Sequence, residues 1–280
     1  LQLPALQPLR QELLENALRY YDEFLKQRTE NPQLQLEIAA THFRMAMIQI
    51  FLSRIDDGWD SMRSGLDLVD ELRRTRPHFM TGSNLRTLSG FFTGFQSLND
   101  AETGFHPQHA NKVSAQKTLE RAVETWEDFI AACPDDPDLR NDLAALTYVM
   151  GDLAMVSSGP DAAYRYYSRA IELWEGLSED HPDVVAYRAS LAYVLRHRGE
   201  VIPGSGPESL DVERALALRE KIYADAPDSP NAQADLADSL QRMATMLLKR
   251  PGDYSQACAM ARRAVRLAEP LVQEFPSVAE

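Results

Sequence analysis

His106-Pro107-Gln108-His109 is the nearest thing in this chain to a metal-binding pair, with two imidazoles three residues apart. A metal centre needs at least one further oriented ligand, and Pro107 excludes the helical turn that would aim both rings at one point. The expectation is an exposed polar loop with no metal. Asp56-Asp57 and Asp135-Asp136 are paired carboxylates of the kind used in acid/base chemistry. They fall in turns and at helix starts, where a carboxylate meets the positive end of the helix dipole, so they are read as capping groups. Gly204-Ser205-Gly206 follows no strand, and neither Lys-Ser nor Lys-Thr follows it, so it is read as a turn rather than a phosphate loop. Neither a Gly-x-Ser-x-Gly elbow nor a repeated Cys-x-x-Cys pair occurs. Cys133 and Cys258 lie far apart and are expected to be buried small hydrophobes. No residue is assigned a catalytic role, no cofactor is implied, and the chain is read as a non-enzyme.

Composition narrows the partners. With 29 basic and 42 acidic residues the net charge is −13, which repels the phosphate backbone of nucleic acids. The longest apolar run, Ala46-Met47-Ile48-Gln49-Ile50-Phe51-Leu52, falls short of the roughly 18 residues that span a bilayer, so no membrane insertion by this segment is expected. The chain opens at Leu1 and reads as a segment of a longer protein, soluble, and either cytoplasmic or tethered outside the cytoplasm.

The elements that position these residues come from a repeat. One octapeptide recurs: a small residue, an aliphatic, three variable residues, an acid, one variable residue, an apolar residue. It runs Ala17-Leu18 with Asp22 and Phe24, Gly65-Leu66 with Asp70 and Leu72, Ala122-Val123 with Glu127 and Phe129. It returns as Ala170-Ile171 with Glu175 and Leu177, Ala215-Leu216 with Glu220 and Ile222, and Ala264-Val265 with Glu269 and Leu271. A second pattern interleaves, with Ala seven and Met or Leu thirteen residues after a turn proline: Pro32, Ala39 and Met45; Pro137, Ala144 and Met150; Pro182, Ala189 and Leu195; Pro230, Ala237 and Met243. Each unit is therefore two helices. Apolar residues follow the i, i+3, i+4, i+7 rhythm, strand alternation is absent, and Asn31-Pro32, Arg76-Pro77, Asp136-Pro137, His181-Pro182 and Ser229-Pro230 fall at the junctions.

These patterns resemble the tetratricopeptide repeat family. The best copy has Tyr148, Met150 and Gly151 in its first helix and Ala163, Tyr167 and Ala170 in its second, where the family holds aromatic, large, small, small, aromatic and small residues. Other copies are looser: Ala46, Gly58, Met62 and Gly65; Ala244, Ala257, Ala261 and Ala264; and Arg196, Glu208, Val212 and Ala215, where Arg196 and Glu208 imply a splayed pair or an internal ion pair. The units exceed the family's usual length, which predicts helices of about 18 to 22 residues, roughly 27 to 33 Å long. The wording of Leu9-Arg10-Gln11-Glu12-Leu13-Leu14-Glu15-Asn16-Ala17-Leu18 and of Asp180-His181-Pro182-Asp183-Val184 also resembles the repeat regions that follow the kinase domain and membrane helix of certain bacterial serine/threonine protein kinases. No kinase catalytic motif lies in this chain.

The expected architecture is all-α: a single right-handed superhelical solenoid over 1-280. A leading helix in 1-31 precedes five antiparallel pairs at 32-76, 77-136, 137-181, 182-229 and 230-275. The second pair is irregular, with a first helix near 81-97 and a long polar loop at 97-110 that is either functional or disordered. Phe275 to Glu280 reads as the start of another unit. Trp126 and Trp174 hold the same place in two copies and are expected in the core between repeats, whereas Trp59 sits beside a turn.

The resemblance also implies a peptide-binding groove lined by first helices. Its residues here are Phe43 and Met47, Thr87 and Phe91, Tyr148 and Asp152, Tyr193 and His197, Gln241 and Thr245. The aromatics suit an apolar or extended peptide, unless long helices fill their own groove with them. The implied function is a scaffold or sensor that binds a neutral or basic protein or peptide. The alternative is a self-associating structural module.

Overall fold

The computed structural model describes residues 7–26, 29–90, 112–201, 207–250 and 252–274. Every regular element among them is helical. In chain order the α-helices are α1 (Gln7–Leu25), α2 (Pro32–Phe51), α3 (Ile55–Thr75), α4 (Lys112–Ala132), α5 (Pro137–Ser157), α6 (Pro160–Asp180), α7 (Val185–Val201), α8 (Pro207–Asp225), α9 (Pro230–Leu248) and α10 (Tyr254–Glu274). Their lengths of 17 to 21 residues are close to those the long repeat demands.

Local chemistry sets the helix starts. Pro32, Pro137 and Pro230 each open a helix, where the missing N–H had no intrahelical partner. The preceding Asn31, Asp136 and Ser229 side chains accept backbone N–H groups of the first turn, from Gln33, from Asp138 and Leu139, and from Ala232. Asp56 and Asp57 lie in the first turn of α3. The carboxylate pairs thus stand at helix starts. Pro182 departs from the pattern, since α7 begins three residues later, at Val185.

The irregular unit is built differently from its expected form. At the start of the helix expected over 81-97, the chain runs instead through a 3-10 turn at Pro77–Phe79 and a 3-10 helix at Gly82–Leu88, and residues 91-97 lie outside the described residues. It reaches Gly90 at φ +80°, a left-handed conformation that glycine adopts without a Cβ penalty. The 3-10 segment packs on α2. It is fixed to α5 by Arg86 Nε on Asp136 at 3.0 Å and by the Gly90 N–H on Asp142 at 2.7 Å. Phe91 and the 97-110 loop, with His106 and His109, lie outside the described residues, as does Gly204-Ser205-Gly206.

Contacts divide the chain into two compact units, Gln11–Leu177 and Ser178–Glu280, the latter grouped with Leu1–Arg10. In the first, α2 pairs with α3, and α4 packs on both α3 and α5. α5 is its centre: residues 141–151 are buried without interruption. Two tryptophans hold α5, both fully buried, Trp126 of α4 donating its indole N–H to Asp142 at 3.3 Å and Trp174 of α6 to Asn141 at 2.9 Å. In the second unit α7 pairs with α8, α9 with α10, and α8 with α9 around Leu236, Leu240, Met243, Ala257 and Ala264.

Small residues act where the repeat places them. A Cβ on Gly151 would lie 2.4 Å from the Tyr167 ring, one on Gly65 2.7 Å from Phe43, and one on Gly58 2.5 Å from Ile50 and 3.1 Å from the Ala46 carbonyl oxygen. The helices of these pairs approach too closely for any side chain. The cysteines depart from expectation: Cys133 is only half-buried and Cys258 is exposed on α10.

Candidate functional site

The aromatics proposed for a groove are inside the protein. Phe43 is fully buried, packs edge-on against Trp126 at 5.5 Å between ring centroids, and covers Gly65. Tyr148 is equally buried and stacks on Tyr167 at 5.8 Å and 25°. Tyr193 is 5% exposed. An exposed aromatic ladder through Phe43, Tyr148 and Tyr193 is therefore excluded, and Phe91 is not among the described residues. For Phe43 the cause is the close helix approach over Gly65, which leaves a space that its ring fills, whereas Tyr148 is covered by Tyr167, the ring that fills the space over Gly151.

The other positions divide. Met47 and Thr87 are half-buried. Asp152 is half-buried and accepts the Tyr167 hydroxyl at 2.5 Å, so it orients the buried ring rather than a ligand. Gln241 and Thr245 are exposed on α9. His197 joins them through a charged cluster that the sequence pattern did not single out.

That cluster lies between α7 and α9. Arg242 of α9 pairs with Glu200 of α7 at 2.9 Å and with Asp238, one turn back on its own helix, also at 2.9 Å. Burial lowers the Arg242 pKa, but its bonds to the two carboxylates outweigh this and hold it above its usual value. Arg196 lies over the Tyr193 ring at 4.8 Å, pairs with Glu200 at 3.5 Å, and donates to His197 Nε2 at 2.7 Å. His197 sits 4.5 Å from the Tyr193 ring. The side chain of Glu208 lies outside the described residues. An ion pair joins α7 to α8 through Arg198 with Asp211, two bonds of 2.7 and 2.8 Å between partly buried side chains. The face offered by α7 and α9 is thus polar, with exposed Glu200, Asp238, Gln241 and Thr245 around Arg242.

Burial first, then the charges of Arg196 and Arg242, hold His197 well below the usual imidazole range. An imidazole that accepts from Arg196 at Nε2 must be unprotonated there. The unfolded chain binds a proton near pH 6.5 and the folded chain does not, so stability falls as pH drops below about 6.5. His42, lowered by burial, adds in the same direction. Replacement of His197 by Gln is expected to flatten the acid limb of a stability–pH curve by up to about 1.4 kcal/mol per pH unit. Urea titrations between pH 5 and 7.5 measure it, and an unchanged slope in the variant contradicts the assignment.

A second set of charges gives two of the octapeptide acids, Asp70 and Glu220, a partner on a neighbouring helix. Arg121 of α4 bonds Asp67 at 2.7 Å and Asp70 at 2.5 Å on α3, and Arg263 of α10 bonds Glu220 of α8 at 2.7 Å. Asp70 and Glu220 are repeat acids, and each arginine stands just before the small residue of the next copy, Ala122 or Ala264. Arg169 and Arg214 occupy the same place. This arginine was legible in the sequence and was missed.

Among the described residues, no group of three His, Cys, Asp or Glu is placed to hold a metal ion, and no helix is long and apolar enough to cross a membrane. A cleft of about 170 Å³ in the first unit is lined by Pro77, Met80, Leu85 and Phe129 beneath the Arg73–Asp128 pair. It is smaller than the roughly 300 Å³ at which small-molecule sites begin.

No protein-family model matches the chain, and no curated protein matches it. Among solved structures the chain is similar to the crystal structure of BtubC (BKLC) from P. vanneervenii, at 18% identity and a TM-score of 0.56 over 92% of this chain and 90% of that one. The likeness supports the all-α fold and extends to no activity.

Proposed function

We propose that this chain is a non-catalytic, tetratricopeptide-type region that binds a neutral or basic protein segment on the polar face of α7 and α9. The observation that carries the reading is the Glu200–Arg242 contact, which sets the first helices of two successive pairs side by side with Gln241 and Thr245 exposed beside it. A net charge of −13 favours a basic partner over an acidic one through long-range steering. Exposed polar groups around a fixed ion pair suit extended peptide backbone, which offers donors and acceptors at every residue. The resemblance to kinase-linked repeat regions makes attachment to a bacterial serine/threonine kinase part of this reading, with any phosphoryl transfer lying outside this chain.

The test uses a partner captured on the immobilised chain and then titrated in purified form. Gln241→Arg with Thr245→Arg is expected to weaken binding at least tenfold, about 1.4 kcal/mol, while circular dichroism remains that of the wild type. Rising salt is expected to slow association. Unchanged affinity in the folded double variant overturns this placement.

A further inference from the structure

The last turn of α7 holds a neutral imidazole among paired charges. His197 is half-buried, and its Nε2 accepts from the Arg196 guanidinium at 2.7 Å. Arg196 is itself 8% exposed and lies over the Tyr193 ring, so packing keeps it beside the imidazole. From α9 this turn is faced by Arg242, which bonds Glu200 of α7 and Asp238 of its own helix. Arg196 also pairs with Glu200. α8 meets the turn through Asp211, which holds Arg198 with two bonds. The carboxylates of Glu200 and Asp238 thus balance the guanidinium groups of Arg196 and Arg242.

A proton on His197 upsets that balance twice. Nε2 stops accepting and becomes a donor, so it meets the Arg196 N–H groups with an N–H of its own. The imidazolium is also a further cation, and Glu200 stands three residues on, within reach along one helix face. It therefore competes with Arg242 for that carboxylate. Burial and the charges of Arg196 and Arg242 oppose the proton while the turn is in place. In water, away from both arginines, an imidazole takes it near pH 6.5. The packing of α8 on α9 is made by Val212, Leu216, Leu236 and Leu240, which do not titrate.

We infer that the last turn of α7 is an acid-released latch: a proton taken up by His197 expels Arg196 from the imidazole, draws Glu200 from Arg242, and frees the turn from α9. Linkage fixes the direction. The released turn binds the proton at the ordinary imidazole value and the closed turn at a lower one, so release grows more frequent as pH falls below about 6.5. Between pH 7.5 and 5.5 the opening equilibrium shifts about tenfold. Resting on the α7–α9 binding face proposed above, this makes a partner held across both helices leave in mildly acidic surroundings. The apolar packing of α8 on α9 stays closed, so the release is local rather than a loss of the fold.

Hydrogen–deuterium exchange of the full chain at pH 7.5 and 5.5, corrected for the intrinsic pH dependence of exchange and read by mass spectrometry, tests the latch. Amides of 196–201 are expected to lose about tenfold in protection at the lower pH, while those of 236–243 in α9 keep theirs. His197→Gln is expected to abolish the difference. Unchanged protection of 196–201 in the wild type overturns the latch. An equal loss in 236–243 overturns it in favour of unfolding of the whole unit, and the same loss in His197→Gln assigns the effect to the carboxylates instead. The chain is measured without a partner, so this result stands apart from the Gln241 and Thr245 variants that test the binding face.

Discussion

Replacing Trp126 or Trp174 by Ala is expected to cost about 3 to 5 kcal/mol of folding stability, the largest single-residue effects in the first unit. Both indoles are fully buried, and each contributes a hydrogen bond as well as volume. Against a typical total of 5 to 15 kcal/mol, a loss of that size leaves a marginal fold. Trp174→Phe separates the two contributions: most of the apolar contact remains, but the donor to Asn141 is gone, and a buried acceptor that loses a partner costs about 1 to 3 kcal/mol. Urea denaturation monitored by circular dichroism measures all three variants. Alanine variants within about 0.5 kcal/mol of wild type would show that α5 is not held as described, because that range belongs to exposed positions.

Gly151→Leu is expected to be the next most damaging change, at about 1 to 3 kcal/mol, through overpacking. Two effects oppose each other at this position. Removing glycine from a helix interior stabilises by about 1 kcal/mol, but the new Cβ alone falls 2.4 Å from Tyr167 Cε1. The far end of a free side chain could turn aside at little cost. Tyr167 is 2% exposed, stacked on Tyr148 and bonded to Asp152, so its ring has nowhere to go. Steric cost therefore wins, by more for Leu than for Ala. Exposed Gln241→Ala serves as the control, expected within about 0.5 kcal/mol of wild type in the same denaturation assay. Equal midpoints for Gly151→Leu and Gln241→Ala would refute the close pairing of α5 and α6.

The same packing changes what a binding experiment can use. Tyr148→Ala and Tyr193→Ala are attractive if those rings face a groove, but both are buried, so their loss reports on folding first. Gln241 and Thr245 are exposed on α9 and can be altered without opening the core.

Local chemistry, which travels with the sequence, determined the helices and most of their boundaries. Pro32, Pro137 and Pro230 open helices because proline costs nothing at the first position, and Asn31, Asp136 and Ser229 cap them because their side chains reach orphan N–H groups. The recurrence of Gly65, Gly151 and Ala170 marked the close pairs, and the equivalence of Trp126 and Trp174 marked the core between copies. The tertiary structure alone decided which way the aromatics of the first helices turn. A helix with one buried face writes that face into its period, but α5 is buried all around, so its period cannot separate the side toward α6 from a side toward a ligand. Tertiary packing also replaced the start of the expected helix at 81-97 with a 3-10 segment, since the bonds that fix it run to Asp136 and Asp142, about 50 residues away.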